Sequence, residues 1–391
     1  MSDSREKKMV LARRLLALHE AGSTDQAPET MVQSLDAYTN PERLRHEYDR
    51  IFKGLPLPLA LSCEVAQPGD YRAMTVIDVP VLIIRGEDGV ARALVNVCRH
   101  RGAPLAQDGH GHKRAGRFTC PYHSWTYDDH GDLAAMFGSS TFGDVEPASL
   151  GLRALPCAER SGFVWVGLTP GNDFDIDDWL GEFRAELDSL QLGDWHVYAQ
   201  RELQGPGWKV TWDGYLEGYH QQAVHPQTVG KNTIANLMTW DTYGPHQRFV
   251  FGRKSLPQLA ELPESQWEPD EHIRLIHSGF PNLSVSGILG GHCLVSQVYP
   301  DLAMDKTITI QTVLTAEEPR SQADKQAAEE FSQMALIAVR DEDYGMGFKI
   351  QAGLNSKGND AFIFGRNEPT LQHYHRWVER LSQWSQVRSG G

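Results

Sequence analysis

Residues 98–125 read CRHRGAPLAQDGHGHKRAGRFTCPYHSW, and this stretch decides how the whole chain is interpreted. It holds two Cys/His pairs, Cys98-x-His100 and Cys120-x-x-His123, each beside a glycine or proline of the kind found in turns. Thiolate and imidazole are ligands suited to zinc, copper or iron–sulfur chemistry. Two turns that each supply one cysteine and one histidine therefore predict a metal site.

Two kinds of metal site fit these four residues. A single tetrahedral zinc ion bound by two cysteines and two histidines would be structural. Alternatively, the two thiolates bind one iron of a [2Fe–2S] cluster and the two imidazoles bind the other iron. Zinc-finger spacing usually groups cysteine with cysteine and histidine with histidine, whereas each turn here supplies one of each. The mixed spacing favours the dinuclear cluster.

Bulk composition narrows the class of protein. The chain has 391 residues, which is room for two domains, and a net charge of −14 with scattered Lys and Arg. That charge argues against nucleic acid or an anionic membrane as a partner. The longest apolar runs are strand-sized, the N-terminus lacks the features of a secretory signal, and the five cysteines are too few for a disulfide framework. We expect a cytoplasmic protein.

The periodicity of the chain changes twice along its length. Residues 1–52 have helical patterns, residues 53–169 have short β-type runs separated by turns, and residues 170–391 mix both. The last region opens with a helical connector at 173–190, and its further helical patterns lie near 208–225, 322–347 and 369–385. The predicted fold is an all-β domain followed by an α+β domain with an antiparallel sheet and helices packed against it.

A second group of metal-binding side chains lies in the α+β region. On a helix, Glu217 and His220 would share one face, but His225 would lie too far round to join His220 at one metal. The helix must therefore end or distort between the two histidines, as Pro226 supports. A zinc hydrolase is excluded, because its H-E-x-x-H helix places the histidines four apart with a glutamate between them.

Two histidines require a carboxylate to complete the set that binds non-haem Fe(II) with open positions for O₂. The candidate is Asp343, whose neighbours Asp341 and Glu342 point elsewhere on a regular helix. An acid in an apolar row is more often a helix-edge residue than a ligand. The row that contains it is Leu336, Val339, Asp343, Met346 and Ile350.

The motifs resemble those of the Rieske oxygenase α-subunits, the family of the aromatic-ring-hydroxylating enzymes. C-R-H-R-G and C-P-Y-H-S-W are similar to the Rieske motifs of that family, whereas respiratory Rieske proteins have an additional cysteine where Ala103 and Tyr122 stand here. The family also has a motif in which an acid is followed, after two residues, by a histidine and, after four more residues, by a second histidine. Further along the chain it has an Asp that lies eight residues before Gln-x-Gly. Asp343 precedes Gln351-Ala-Gly353 in this way, and the resemblance spans about residues 36–385.

The resemblance implies two metal centres and electron transfer from the cluster of one subunit to the iron of a neighbouring subunit. It implies a helix-grip-like catalytic domain, O₂ as co-substrate, and electrons from NAD(P)H through a separate reductase or ferredoxin. It also implies a homotrimer in which Glu217 links His220 to His123 of a neighbouring subunit. The implied ligands are Cys98, His100, Cys120 and His123 for the [2Fe–2S] cluster, and His220, His225 and Asp343 for the mononuclear Fe(II).

The substrate is left open as a small organic molecule. Many ring-hydroxylating members have Asp at the position of Glu217, and a Glu there is similar to the carnitine- and choline-type enzymes, which favours monooxygenation over cis-dihydroxylation in aromatic hydrocarbon catabolism. No cluster of Arg or Lys marks a carboxylate pocket. An electron-transfer Rieske protein and a zinc-stabilised binding module are the alternatives. Candidate pocket residues are Trp212, Asp213, Tyr215, Leu216, Leu283 and Val285.

Overall fold

A computed structural model describes residues 2–354, 356 and 358–384. The chain divides into two compact units: an α+β unit (Met1–Ile51, Gly181–Ser189 and Trp195–Gly391) and an all-β unit (Phe52–Leu180 and Leu190–Asp194). The predicted domains were 1–52, 53–169 and 170–391, so the second division lies further along the chain than predicted. Residues 355, 357 and 385–391 of the last predicted domain lie outside the described residues, and residue 385 is the last residue of its third helical pattern.

The predicted connector at 173–190 is not one helix. It forms two short helices, Ile176–Leu180 and Phe183–Asp188, which belong to different units. Gly181 has φ +49° between them, a left-handed conformation that ends the first helix. One of the places where the chain passes from the all-β unit to the α+β unit therefore lies at this glycine.

The all-β unit contains three antiparallel sheets. Its larger sheet has five strands, in the order Ala154–Leu155, Ala91–Val95, Val79–Arg85, Asp70–Val76 and Gly109–His112. A second sheet has the strands Cys157–Arg160, Phe163–Val166 and Leu57–Leu61. The third sheet has Phe118–Thr119, Thr126–Tyr127 and Leu133–Ala135. Short helical segments lie between them: Ser62–Val65, Arg114–Gly116, Ser139–Phe142, Pro147–Leu150, Ile176–Leu180 and Leu192–Asp194.

The core of the all-β unit reaches the two Cys/His turns. Leu82, Ile84 and Leu94 pack in one buried cluster with Phe118 and Trp125, and that cluster also contains the cysteines of both turns. Packing of these apolar side chains therefore anchors both turns to the same core.

The α+β unit is built on a seven-stranded sheet in which every neighbouring pair is antiparallel. The strand order is His196–Pro206, Lys306–Thr315, His292–Pro300, Leu283–Leu289, Ile273–Gly279, His246–Arg253 and Thr233–Tyr243. A separate two-stranded sheet pairs Met31–Ser34 with Ala361–Phe364. The predicted fold class, an all-β domain with an α+β domain that has an antiparallel sheet, is confirmed.

Helices cover both faces of the seven-stranded sheet. The N-terminal helix Ser2–Glu20 packs Met9, Leu11 and Leu15 on one face. The other face meets the segment 322–354, whose Ala335, Val339 and Tyr344 lie in a second buried cluster. The α-helices are Ser2–Glu20, Asp36–Thr39, Pro41–Glu47, Phe183–Asp188, Trp208–Tyr215, Gln221–Val224, Pro269–His272, Gln322–Leu336, Tyr344–Leu354 and Pro369–Ser382. Shorter 3₁₀ turns are Val229–Lys231, Leu256–Glu261 and Glu264–Gln266.

Among the residues that the structure describes, two segments form π-helix, Tyr48–Phe52 and Ile337–Asp343. The second lies between the α-helices Gln322–Leu336 and Tyr344–Leu354, so the predicted regular helix over 322–347 changes its winding in the middle. A π-helical turn contains more residues than an α-helical turn, and such turns are frequent at functional sites. In the described part of the chain, no helix is long and apolar enough to cross a membrane.

Candidate metal centres

The two Cys/His turns are built in the same way. In each, the cysteine carbonyl accepts a hydrogen bond from the amide four residues later, and the cysteine amide donates to the carbonyl five residues later. Gly102 and Ser124 occupy the fourth position and have positive φ values, +79° and +56°. Repetition of one backbone motif brings both cysteines to the same surface of the core and leaves each histidine further out on its turn.

The side chains of the two turns suit a cluster better than a zinc ion. Cys98 and Cys120 are 2% exposed, and the rings of His100 and His123 lie 4.5 Å apart. Ligands around one zinc ion lie within about 4 Å of each other, given metal–ligand distances near 2 Å. Among the described residues, no three of these four bring their ligand atoms within 4.8 Å of one another. That wider spacing disfavours a single tetrahedral ion.

One atom of His100 marks where the cluster would lie. Its Nδ1 is buried and has no hydrogen-bond partner among the described residues, while the ring stacks on Trp125 at 5.0 Å. An orphaned buried nitrogen costs free energy unless it binds a ligand. The hydroxyl of Tyr127 lies 3.4 Å from Cys98 Sγ, at hydrogen-bond distance for sulfur. These four residues and their surroundings therefore fit a [2Fe–2S] cluster.

The second centre lies at an interruption between two helices of the α+β unit. The helix Trp208–Tyr215 ends before Glu217, and only the short helix Gln221–Val224 follows, with His220 at its start and His225 at its end. The predicted shared helical face for Glu217 and His220 is therefore wrong, since neither residue lies within a helix. Glu217 instead accepts hydrogen bonds from the backbone amides of Tyr219 and His220.

Gly218 explains why the chain turns at this place. A Cβ atom on Gly218 would overlap the ring of Phe251 on the sheet. Only glycine lets the backbone approach the sheet this closely. The close approach places His220 and His225 above the sheet on the side of the segment 322–354.

The three predicted iron ligands come together. Asp343 Oδ1 lies 2.7 Å from His225 Nε2 and 3.4 Å from His220 Nε2, and the two Nε2 atoms are 3.1 Å apart. In the described part of the chain this is the one group of three whose ligand atoms lie within 4.8 Å of one another. Two imidazoles and one carboxylate in this arrangement fit a non-haem iron with open positions.

Carboxylates hold the outer nitrogen of each histidine. Glu217 contacts His220 Nδ1, and Glu342 Oε2 lies 2.8 Å from His225 Nδ1. Each contact fixes the ring so that Nε2 faces the shared centre. Thr228 completes the second contact, because its hydroxyl donates to Glu342.

The electrostatics of the centre are dominated by these carboxylates. Burial by itself would lower the pKa of His220, but hydrogen bonds to Asp343 and Glu217 outweigh it and raise that pKa to about 10. Burial would likewise raise the pKa of Asp343, yet its bonds to His220 and His225 hold it below the ordinary value. Since a metal competes with protons for these atoms, metal binding there releases protons.

The regular helix expected from the sequence would direct Glu342 away from His225, and this expectation is wrong. A regular helix directs Glu342 away from Asp343, whereas the π-helix Ile337–Asp343 brings both carboxylates to His225. The π segment also leaves Met346 and Ile350 of the predicted apolar row half exposed. No feature of the sequence marks this change of winding.

A cavity of about 260 Å³ opens at the three ligands. Its floor is one face of the sheet. The register pairs Phe251 with Arg274, so side chains two residues away on either strand point the same way. Residues of this face that line the cavity include Phe251, Arg253, Arg274, Ile276, Ser284 and Ser286.

Some of the predicted pocket residues line a cavity at the three ligands, and others do not. Tyr215 lines the cavity, and Asp213 lines a second cavity that shares Glu217, His220 and Asp343 with the first. Asp213 is also held structurally, because it accepts hydrogen bonds from Tyr38 and His375. Four of the described residues named in advance line neither cavity: Trp212, Leu216, Leu283 and Val285.

Those four residues belong to the buried core. Trp212 stacks on Tyr215 at 5.3 Å, and Leu216 is fully buried beneath the turn. Leu283 and Val285 lie on the correct strand but on its other face, while Ser284 and Ser286 point into the cavity. A shift of one residue along a strand exchanges the two faces.

Comparisons with known proteins agree with both centres. The family described as "Ring hydroxylating alpha subunit (catalytic domain)" matches residues 192–384, and "Rieske [2Fe-2S] domain" matches residues 56–141. A carnitine monooxygenase oxygenase subunit from Acinetobacter pittii is 29% identical over 82% of this chain and 84% of that protein. A glycine betaine monooxygenase oxygenase subunit from Chromohalobacter salexigens is 30% identical over 49% of this chain and 42% of that protein.

A solved structure is similar over nearly the whole chain. It is a quaternary ammonium Rieske monooxygenase, described in connection with carnitine oxidation and inter-subunit electron transfer. The TM-score is 0.77 at 25% identity, with coverage of 92% of this chain and 96% of that one.

Fold and site define a non-haem iron oxygenase with a Rieske centre. More particularly, the chain belongs to the Rieske oxygenase α-subunit family and is a terminal oxygenase component. The electron-transfer protein considered as an alternative is disfavoured. The cofactors are a [2Fe–2S] cluster and a mononuclear iron, with O₂ as co-substrate and electrons supplied by a separate reductase. Together the metals supply electron storage and O₂ activation, and the protein supplies binding and orientation.

Proposed function

We propose that this chain is a monooxygenase that inserts one oxygen atom into a small organic molecule related to carnitine and the betaines. The observation that carries the proposal is the similarity to a carnitine monooxygenase oxygenase subunit over 82% of the chain. The overall reaction would consume O₂, NAD(P)H and a proton, with one oxygen atom entering the substrate and the other leaving as water. An arene dihydroxylation would instead place both atoms in the product.

The metal ligands follow from the same proposal. Cys98, His100, Cys120 and His123 would hold the [2Fe–2S] cluster, and His220, His225 and Asp343 would hold the iron. Support comes from the buried Nδ1 of His100 and from the compact group at Asp343. Glu217 and Glu342 would orient the two iron histidines through Nδ1, leaving each Nε2 free for the metal.

Glu217 would also carry the connection between the two kinds of centre. Its carboxylate contacts His220 Nδ1 and is partly exposed, so a second group can approach it from solvent. In a homotrimer, that group would be His123 of a neighbouring subunit. A carboxylate between two histidines gives a short hydrogen-bonded route for an electron, and a proton can move along the same route.

Exposed apolar side chains support such a trimer. Beside Glu217, the second cavity of the α+β unit includes Met346 and Ile363, which are 42% and 73% exposed. On the all-β unit, Tyr122 and Phe137 are 57% and 79% exposed, and Tyr122 lies against His123 with ring centroids 3.7 Å apart. Apolar surface of this kind marks an interaction site. The all-β unit of one copy covering the α+β unit of another would bury both surfaces.

A single turnover under ¹⁸O₂ tests the monooxygenase. Holoprotein reduced in advance would be given carnitine, γ-butyrobetaine, glycine betaine, anthranilate or naphthalene, and the products analysed by mass spectrometry. We expect one labelled atom in the product from a quaternary ammonium compound. Two labelled atoms, or a product from naphthalene alone, would refute the proposal.

Mixed variants test the trimer. A Cys98→Ser chain would lack the cluster, and an Asp343→Ala chain would lack the iron, so each alone would be inactive. Co-expression of the two would restore part of the activity if electrons cross between subunits. Activity that stays at the background level in trimers shown to be mixed would refute transfer between copies.

A further inference from the structure

Two arginines lie on the wall of the cavity that opens at the iron ligands. Arg253 and Arg274 lie on adjacent antiparallel strands, His246–Arg253 and Ile273–Gly279. Since Phe251 pairs with Arg274, Arg253 and Arg274 emerge from the same face of the sheet. Both line the cavity together with Asn232 and Thr233. The two arginines are far apart in the sequence, so their proximity could not be predicted without the register of the sheet.

Neither arginine forms a salt bridge with an acid among the described residues, although the charge of Asp270 acts on Arg274 and raises its pKa. Arg253 donates from Nη1 to the Glu271 carbonyl at 2.8 Å, and Arg274 donates from Nη1 to the Asp270 and Ile273 carbonyls at 3.0 and 2.8 Å. The carboxylate of Asp270 pairs with Lys8 instead. Within the described part of the chain, neither guanidinium forms an ion pair, and Nη2 of Arg274 is buried without a hydrogen-bond partner.

The two guanidinium groups are close enough for their charges to act on each other. Burial, together with the charge of Arg253, lowers the pKa of Arg274 to about 10, so the side chain is still cationic at neutral pH. Two cations on one wall of a cavity are unfavourable without an acceptor of opposite charge. A guanidinium presents parallel N–H groups that match the two oxygens of a carboxylate.

We propose that Arg253 and Arg274 form an anion subsite that binds the carboxylate of the substrate. The remainder of the molecule then extends along the cavity, past Ile276 and Leu294, toward the three iron ligands. The inference rests on the proposed function and narrows it to carboxylates, a class that includes carnitine, glycine betaine and γ-butyrobetaine. A cavity of about 260 Å³ has room for about nine water volumes, which suits a molecule of about ten non-hydrogen atoms.

Calorimetric titration of the resting holoprotein tests the subsite without turnover. Matched probes differ in the carboxylate alone: γ-butyrobetaine against its methyl ester, glycine betaine against choline, and benzoate against benzamide. We expect a carboxylate to bind about tenfold or more tightly than its neutral-ended partner. Arg274→Gln and Arg253→Gln should each weaken carboxylate binding about tenfold to a hundredfold and leave the ester, alcohol or amide unaffected.

Lys254→Gln is the matched control. It removes a neighbouring positive charge whose Nζ donates to the Lys231 carbonyl and which does not line the cavity. If Arg274→Gln fails to fold, Arg253→Gln still tests the subsite. The hydrogen bond that Arg253 donates to the Glu271 carbonyl is exposed, so its loss should not unfold the protein.

Three results would overturn the subsite. They are equal binding of acid and neutral probes, unchanged carboxylate binding in both arginine variants, and no binding of any carboxylate up to about 10 mM, ten times the upper end of ordinary KM values. Failure of the monooxygenase proposal is a separate observation. Two ¹⁸O atoms in a product would reject monooxygenation and leave the carboxylate preference intact. One ¹⁸O atom in the product of a neutral substrate would support monooxygenation and reject the carboxylate preference.

Discussion

Nδ1 of His225 lies 2.8 Å from a carboxylate oxygen of Glu342, the residue adjacent to Asp343, whose own carboxylate lies 2.7 Å from Nε2 of the same ring. Two consecutive acids therefore hold one imidazole from both sides. The π-helix Ile337–Asp343 makes this arrangement possible, since its wider turn lets consecutive side chains converge. We expect Asp343 to bind iron and Glu342 to orient His225.

Glu342→Gln should weaken iron binding without removing it. Loss of the charged acceptor at Nδ1 leaves His225 less firmly oriented and less basic, and such outer partners change metal affinity about tenfold to a hundredfold. Competition with a chelator, read as iron remaining at each chelator concentration, measures the change. Asp341→Asn is the control, because Asp341 pairs with Arg340 at the surface. Equal iron retention in both variants would remove Glu342 from the centre.

Asp343→Ala should lose the mononuclear iron and retain the cluster. The substitution removes the carboxylate that both iron histidines contact, whereas the cluster ligands belong to the other unit of the chain. Iron content should fall by about one third, with the visible and paramagnetic spectra of the cluster unchanged. A spectrum that disappears with the iron would mean that Asp343 is needed for folding of the whole chain.

Glu217→Gln, loaded with enough Fe(II) to offset a weaker site, should hold both metals and still lose turnover. The amide retains the shape but not the charge that holds His220, so we expect the rate of product formation to fall about a hundredfold. Stopped-flow reduction of the cluster should be unaffected, which separates electron entry from electron use. Glu330→Gln, at an exposed acid that accepts from Gln326, is the control. Wild-type rates in Glu217→Gln would exclude it as the bridge.

Acid should destabilise the all-β unit through Glu64. Burial would raise the pKa of Glu64, but Arg72 and His110 outweigh it and lower the pKa from 4.5 to about 2. Because the folded pKa is depressed, the stabilisation is fully present above about pH 4.5 and is lost as the pH falls toward 2. This pKa shift corresponds to about 3 kcal/mol of folding free energy, at 1.36 kcal/mol per pKa unit.

Urea unfolding followed by tryptophan fluorescence, which does not depend on the acid-labile cluster, measures this effect. The midpoint for wild type should fall steeply below about pH 4.5, and Glu64→Gln should start lower and lack that component of the slope. Asp78→Asn, which removes a half-exposed partner of Lys53, is the control. Parallel pH profiles for wild type and Glu64→Gln would contradict the account of the Glu64–Arg72 pair.

Local sequence was sufficient to predict the two Cys/His turns and the separation into an all-β and an α+β unit. Cys98, Cys120 and their histidines lie within short turns, whose conformation depends on neighbours such as Gly102. Asp343 could be selected because a 2-His-1-carboxylate set requires one acid and because the family motif has an Asp eight residues before Gln-x-Gly, as Asp343 is here. Such features are visible without knowledge of the rest of the fold.

The walls of the cavity could not be predicted in the same way. Leu283, Ser284, Val285 and Ser286 alternate between apolar and polar, so the sequence separates the two faces of this strand. It does not show which of the two faces the iron centre covers, and the structure places the serines there. Arg253 and Arg274 meet only through strand pairing. Glu342 depends on a π-helical turn that propensities do not reveal. Each missed residue owes its role to tertiary structure.

The measurement that tests the central claim most directly is the iron and acid-labile sulfide content of protein purified without oxygen. Two complete centres in one chain predict about three iron atoms and two sulfides per chain. About two irons with two sulfides would describe an electron-transfer protein with no oxygenase centre. Zinc in place of iron, without sulfide, would contradict both centres.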